Sequence, residues 1–213
     1  MREYLLRLTR DVLRARQRGS LPALNRILYV LDGQLSIDSG GTQASLKGNE
    51  AWHGAGPCAV TAGPAGATVL RYELVRSAVP VAASTPLLER TIQLETTAGY
   101  LMRCDRVDFD LGDEALPHRH RGGGIRCLVS GTLALRVEGE PDRTIEPGEA
   151  WFESGREPVY AKASSEEPTS FIRCSILPRE IRGQSSIMYV DPRHAGSKPR
   201  RYTVLVDEPI DLP

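Results

Sequence analysis

The sequence predicts an all-β chain built as two small barrels or sandwiches in tandem. Two observations carry this expectation. Apolar and polar residues alternate with the period of a strand, and the pattern occurs twice. Val107, Phe109 and Leu111 alternate with Asp108, Asp110 and Gly112. Leu133, Leu135 and Val137 alternate with Ala134, Arg136 and Glu138, and Leu35 and Ile37 behave in the same way. Turn pairs punctuate these runs at Asp32-Gly33, Gly40-Gly41, Ser130-Gly131 and Pro147-Gly148. Many short strands at near-regular spacing belong to a sandwich or barrel.

The duplication is read from four echoes in register. Tyr4-Leu5-Leu6-Arg7 returns as Tyr100-Leu101-Met102-Arg103, and Gly33 returns as Gly131. Glu50-Ala51-Trp52 returns as Glu149-Ala150-Trp151, and Arg71 returns as Arg173. The spacing between partners grows slowly along the chain, as small loop insertions would make it. These echoes divide the chain into a first barrel over 1–75, a linker or covering strand over 76–99, a second barrel over 100–178 and a tail over 179–213. The tail, with one clear strand at 202–206, is expected to pack on a barrel or on a partner. One segment fits two descriptions. Leu5, Leu8, Val12 and Ala15 also form a helical face, so 4–17 reads as helix or strand, and the echo at Tyr100 favours strand.

Composition removes several function classes. Lys and Arg number 27, as do Asp and Glu, so no basic excess exists for nucleic-acid phosphates. The run Lys198-Pro199-Arg200-Arg201 reads as a solvated turn before a strand. No apolar stretch is long enough to span a bilayer and no apolar signal core follows the N-terminus, so no membrane partner and a cytoplasmic location are expected. Cys58, Cys104, Cys127 and Cys174 form no C-x-x-C pair and are expected to be reduced, buried and inert. Serine-hydrolase elbows and phosphate-binding glycine loops are absent from the sequence.

Chemistry is concentrated in the second half. His118 and His120 stand two apart, so on a strand both rings face one side while Arg119 faces the other. Two imidazoles on one face make half of a metal site or an acid–base pair; the alternative is a solvated turn flanked by Arg119 and Arg121. Completion of a metal site would need Glu153, Cys127, Glu114, His194 or water, with Glu153 preferred. Arg126 interrupts an apolar strand and shares a face with Gly124 and Leu128. A buried guanidinium needs a carboxylate, either Glu153 or the acid group of a small-molecule ligand. Gly122-Gly123-Gly124 reads as a flexible turn or as a close backbone approach to a ligand. Trp52 and Trp151 read as packing residues, and His53 as structural.

The second half resembles the cupin superfamily. The family's first motif is G-x5-H-x-H-x3-E-x6-G, and Gly112, His118, His120 and Gly131 fall at its spacing. The second motif, G-x5-P-x-G-x2-H, is met only by Gly148-Glu149 and the following Phe152-Glu153-Ser154-Gly155. The resemblance implies two tandem cupin barrels, of double-stranded β-helix or jelly-roll form, with a degenerate first barrel. It implies one divalent transition metal (Fe, Mn, Zn or Ni), no organic cofactor, dioxygenase or isomerase chemistry on a small molecule, and a homodimer paired through edge strands. Two departures stand against the metal. The family's glutamate falls on Gly124 and its last histidine on Val159 or Pro158. The first half has no H-x-H, with Ser20-Leu21-Pro22-Ala23 in that region and Val60 at the late histidine position. Metal-free small-molecule binding and a structural role without catalysis are the alternatives.

Overall fold

The computed structural model describes residues 1–76, 86–197 and 200–213. Of the expected linker or covering strand over 76–99, residues 77–85 lie outside the described residues, as do Lys198 and Pro199. The chain is nearly all strand and divides into two compact units, residues 1–98 with 210–213 and residues 99–209. Among the described residues no helix is long and apolar enough to cross a membrane.

The first unit contains β1 (Arg2–Leu13), β2 (Arg18–Leu21), β3 (Asn25–Ser39), β4 (Thr42–Lys47), β5 (Ala51–Gly54), β6 (Cys58–Val75) and β7 (Pro86–Leu94). The N-terminal segment is therefore a strand through Leu13. Its pairing with β6 and β7 outweighs its helical periodicity, because extended pairing buries Tyr4, Leu6 and Leu8 on one face. The strand order is β4-β3-β6-β1-β7, with β2 on β6 and β5 on β3. The long strands β3 and β6 bend where their register slips beside Gly33. Gly33 has φ of 81°, and a Cβ there would meet the Gly66 carbonyl oxygen at 2.2 Å, so only glycine fits the corner. Leu28, Val30, Leu35, Ile37, Val60 and Val69 lie in the core of this unit.

The second unit is a two-sheet sandwich. One sheet has the order β13 (Ala150–Glu153), β10 (Gly124–Ser130), β15 (Thr169–Pro178), β8 (Tyr100–Phe109), β17 (Arg200–Ile210). The other has the order β12 (Arg143–Ile145), β11 (Leu133–Val137), β14 (Val159–Ala163), β9 (Glu114–His120), β16 (Ile187–Tyr189). The tail residues thus add one edge strand to each sheet, β16 on β9 and β17 on β8. Alternation sends Val107, Phe109, Leu128, Trp151 and Phe171 from one sheet against Ala115, Leu133, Leu135, Val159 and Ala161 from the other. Each of the larger aliphatic and phenylalanine side chains contributes about 1.5–3 kcal/mol by leaving water. The same inward face continues along the strands beyond this apolar core. There it carries Arg103, Asp105, His118, His120, Arg126, Glu153 and Arg173, all buried.

The two units share a strand register. Arg71 faces Leu28 and Thr9, as Arg173 faces Arg126 and Asp105. Trp52 faces Leu28 as Trp151 faces Arg126, and Gly131, with φ of 69°, stands at a corner like that of Gly33.

Candidate functional site

The polar end of the second sandwich is assembled from β9, β10, β13 and β15. His118 and His120 project inward from β9, with ring centroids 4.9 Å apart and planes at 90°. Nδ1 of His118 donates to the Leu116 carbonyl at 2.7 Å, which leaves Nε2 as the lone-pair nitrogen. Nε2 of His120 faces Oε2 of Glu153 at 3.3 Å, and its Nδ1 accepts from the Ser186 hydroxyl at 3.4 Å. Arg119 turns out and donates to the Arg156 carbonyl at 2.7 Å.

Glu153 is the hub. Its Oε2 lies 2.7 Å from the Arg126 guanidinium and its Oε1 accepts from the Trp151 indole at 2.9 Å. Arg126 also donates to the Gly124 carbonyl at 2.6 Å. Burial alone would raise the Glu153 carboxyl, but the Arg126 charge and the His120 hydrogen bond outweigh it and hold the group well below the usual carboxylate range. Burial pushes the His120 imidazole the other way. The Glu153 hydrogen bond opposes that push, the Arg173 and Arg126 charges add to it, and the ring stays well below its ordinary 6.5. The result is a carboxylate, a guanidinium and a neutral imidazole in one buried cluster.

All four sequence-predicted residues, His118, His120, Arg126 and Glu153, are brought together. The other proposed completing groups are not. Glu114 pairs with Lys162 at 3.1 Å near the surface, the Cys127 thiol donates weakly to backbone carbonyls of Leu128 and Gly148, and His194 stacks edge-on with Tyr189. The four cysteines are buried and form no disulfide.

These residues do not fit a metal ion. Among the described residues no group of three or more His, Cys, Asp or Glu side chains could hold one. Glu153 is committed to a guanidinium, which would repel a divalent cation at that spot. The family's glutamate position cannot be refilled, because a Cβ on Gly124 would meet Ser175 Oγ at 2.4 Å and the Cys174 carbonyl at 2.6 Å. Gly124 thus answers the close approach of β15 rather than a ligand. Val159, at the position of the family's last histidine, pairs with His118 and belongs to the apolar core.

Sequence reasoning missed a second buried ion pair. Arg173 donates to Asp105 through two nitrogens at 3.0 and 2.7 Å, and its guanidinium lies 5.7 Å from the centre of the Tyr202 ring. The signal was available: Asp105 continues the inward alternation of Val107 and Phe109, and Arg173 that of Phe171. Two cavities share lining residues here. The inner one, about 20 Å³, is lined by the histidine pair, Arg126, Glu153 and the apolar core, and has room for about one water. The outer one, about 410 Å³, is lined by Arg103, Asp105, residues 183–187, Val204 and Asp207. Arg173 and Tyr202 line both.

Comparison with known proteins agrees with this architecture. No protein-family model matches the chain, and no curated protein sequence matches it. Solved structures do. An oxalate decarboxylase of Lactobacillus farciminis in its formate complex superposes with a TM-score of 0.69 at 12% identity, over 92% of this chain and 82% of that one. AerE of Microcystis aeruginosa gives 0.61 at 16% identity, over 82% and 88%. A cupin 2 conserved barrel domain protein of Leptotrichia buccalis gives 0.51 at 14% identity, over 82% and 84%. The fold is the cupin fold. At these identities the likeness concerns architecture, and the cupin frame here carries a donor set in which a buried Arg–Glu pair stands beside two histidines.

Proposed function

We propose that this chain is a tandem cupin-type protein with a degenerate first barrel, whose second unit binds a small organic molecule without a metal. The observation that carries the reading is the junction at Arg173 and Tyr202. These two residues line both an outer pocket of ligand size and the inner cavity beside the buried His118–His120–Glu153–Arg126 cluster. The outer pocket offers an aromatic ring and apolar Ile187 and Val204, with Gln184, Ser185 and Ser186 as hydrogen-bonding groups. Its cations are internally neutralised, Arg103 by Asp207 at 2.8 Å and Arg173 by Asp105. The ligand class is therefore a largely uncharged molecule with hydrogen-bonding groups. The Leu116 carbonyl fixes the tautomer of His118 and Glu153 that of His120, so the two imidazoles are the groups of this cluster able to exchange a proton with a ligand.

A second reading, a metal-dependent dioxygenase or isomerase, draws on the convergence of the two imidazoles, and a homodimer belongs to either. Elemental analysis joined to native mass spectrometry separates them. The expected result is no stoichiometric metal and a bound organic mass that is lost in Val204→Arg. Near one equivalent of Fe, Mn, Zn or Ni, lost in His118→Ala/His120→Ala with the fold intact, overturns the proposal in favour of the metal enzyme. Neither metal nor organic mass, even after incubation with a fragment mixture, leaves the structural role.

A further inference from the structure

We infer that the first unit is itself a binding site, for an uncharged and largely apolar small molecule. Strand register identifies what stands there in place of the second unit's polar cluster. His118 pairs with Val159, and in the first unit Gly19 pairs with Val60. Leu21, two residues on, takes the place of His120. Arg126 faces Trp151 and Arg173, and Leu28 faces Trp52 and Arg71. Glu153 faces Gly124, and Gly54 faces Arg26. Two histidines, an arginine and a glutamate are thus replaced by two glycines and two leucines.

The exchange leaves room where the cluster stands. The second unit keeps about 20 Å³ among its cluster, with its larger cavity of about 410 Å³ lying outside it, whereas in the first unit Gly19, Leu21 and Leu28 line a cavity of about 560 Å³. That volume falls within the range that small-molecule sites occupy. Leu13, Leu21, Leu28, Leu35, Val60 and Val69 form the apolar side of the cavity, and Arg10, Asp11, Gln17 and Ser20 stand among the polar residues that complete the wall. The one cation in its depth, Arg71, is committed to Asp11 at 2.7 and 3.2 Å and to Glu73 at 2.7 Å. Arg26 lies 3.4 Å from the same Glu73. With these charges balanced, the deep wall carries no net charge, the remaining cation, Arg10, is exposed, and an apolar occupant gains free energy by leaving water. Size, apolar lining and neutrality define the ligand class.

The test uses N-phenyl-1-naphthylamine, an uncharged apolar fluorophore, with the full chain. Gly19→Leu fills the cavity from β2, and a Cβ at that position meets only Val60 Cγ2 at 3.5 Å, an ordinary contact. Leu21→Arg is the second variant, a charge placed on the half-buried wall residue. Val204→Arg, in the second unit's outer pocket, is the control. Saturable binding to the native chain, weakened at least tenfold in Gly19→Leu and Leu21→Arg and kept in Val204→Arg, is the result expected. Absence of saturable binding overturns the inference. So does loss in Val204→Arg, or retention in both first-unit variants. Unfolding curves of each variant confirm that the chain is folded; the result of the remaining folded variant decides if one fails.

Discussion

The two units use one strand register to hold opposite interiors. In the second, buried charge is arranged around Glu153: Arg126 on one oxygen, the Trp151 indole on the other, His120 beside them. In the first, Glu73 is the shared carboxylate, and it comes from β6, where the second unit has Ser175 on β15. The carboxylate stands on a different strand in each unit, while Arg71 and Arg173 occupy matching positions. In each unit a buried guanidinium thus keeps a carboxylate in reach. The polar cluster around the histidines has no counterpart at the matching positions of the first unit, where Gly19, Leu21 and Leu28 line a cavity.

The comparison breaks most sharply if the second unit's pair is cut. Arg126→Leu, which installs the first unit's Leu28, strands Glu153 without its cation. It is expected to cost about 3–5 kcal/mol in urea unfolding, as for other buried pairs broken on one side. Adding Glu153→Leu should restore most of that loss, since an apolar pair is a tolerable substitute. A single variant as stable as the native chain would mean that the pair is solvated.

Acid sharpens the comparison further. His120 is held below its ordinary 6.5 in the fold, so below 6.5 the unfolded chain binds a proton that the folded chain refuses. Stability then falls as pH falls, by up to about 1.4 kcal/mol per pH unit for one proton. Glu153 acts in the same direction lower down. Its folded value is depressed, so its contribution is present above the ordinary 4.5 and is lost as pH drops through the folded value. Each half carries one tryptophan, so a Trp52→Phe chain reports the second unit through Trp151 fluorescence alone. We expect that unit to lose stability from pH 6.5 downward, and His120→Gln to flatten the upper part of the profile. An unchanged slope in His120→Gln would assign the acid sensitivity elsewhere.

The smallest effect is expected at Glu114, on the same strand as the histidines. It sits at the surface beside Lys162, and Glu114→Gln should leave the melting temperature and small-molecule binding unchanged. A change in either would tie the surface pair to the cluster.

The reach of sequence reasoning differs from residue to residue. Alternation put His118 and His120 on one face, and the interruption of an apolar strand singled out Arg126 with Glu153 as one of two partners. Which partner Arg126 takes was open in the sequence, because the two residues lie on strands whose neighbourhood depends on turns between them. Asp105 and Arg173 were missed as a pair for the same reason: they meet across β8 and β15, far apart in the chain. The glycine run read equally well as a turn or a ligand contact until the backbone of β15 was seen to fill the space beside Gly124.

The sequence by itself determined the all-β class, the inward face of each strand and the duplicated pattern, because a period of two is a property of neighbouring residues. Tertiary structure alone decided which charge neutralises which, and how much room remains between the sheets. Ion pairing and cavity volume depend on contacts between residues tens of positions apart, and a one-residue change of register would alter both.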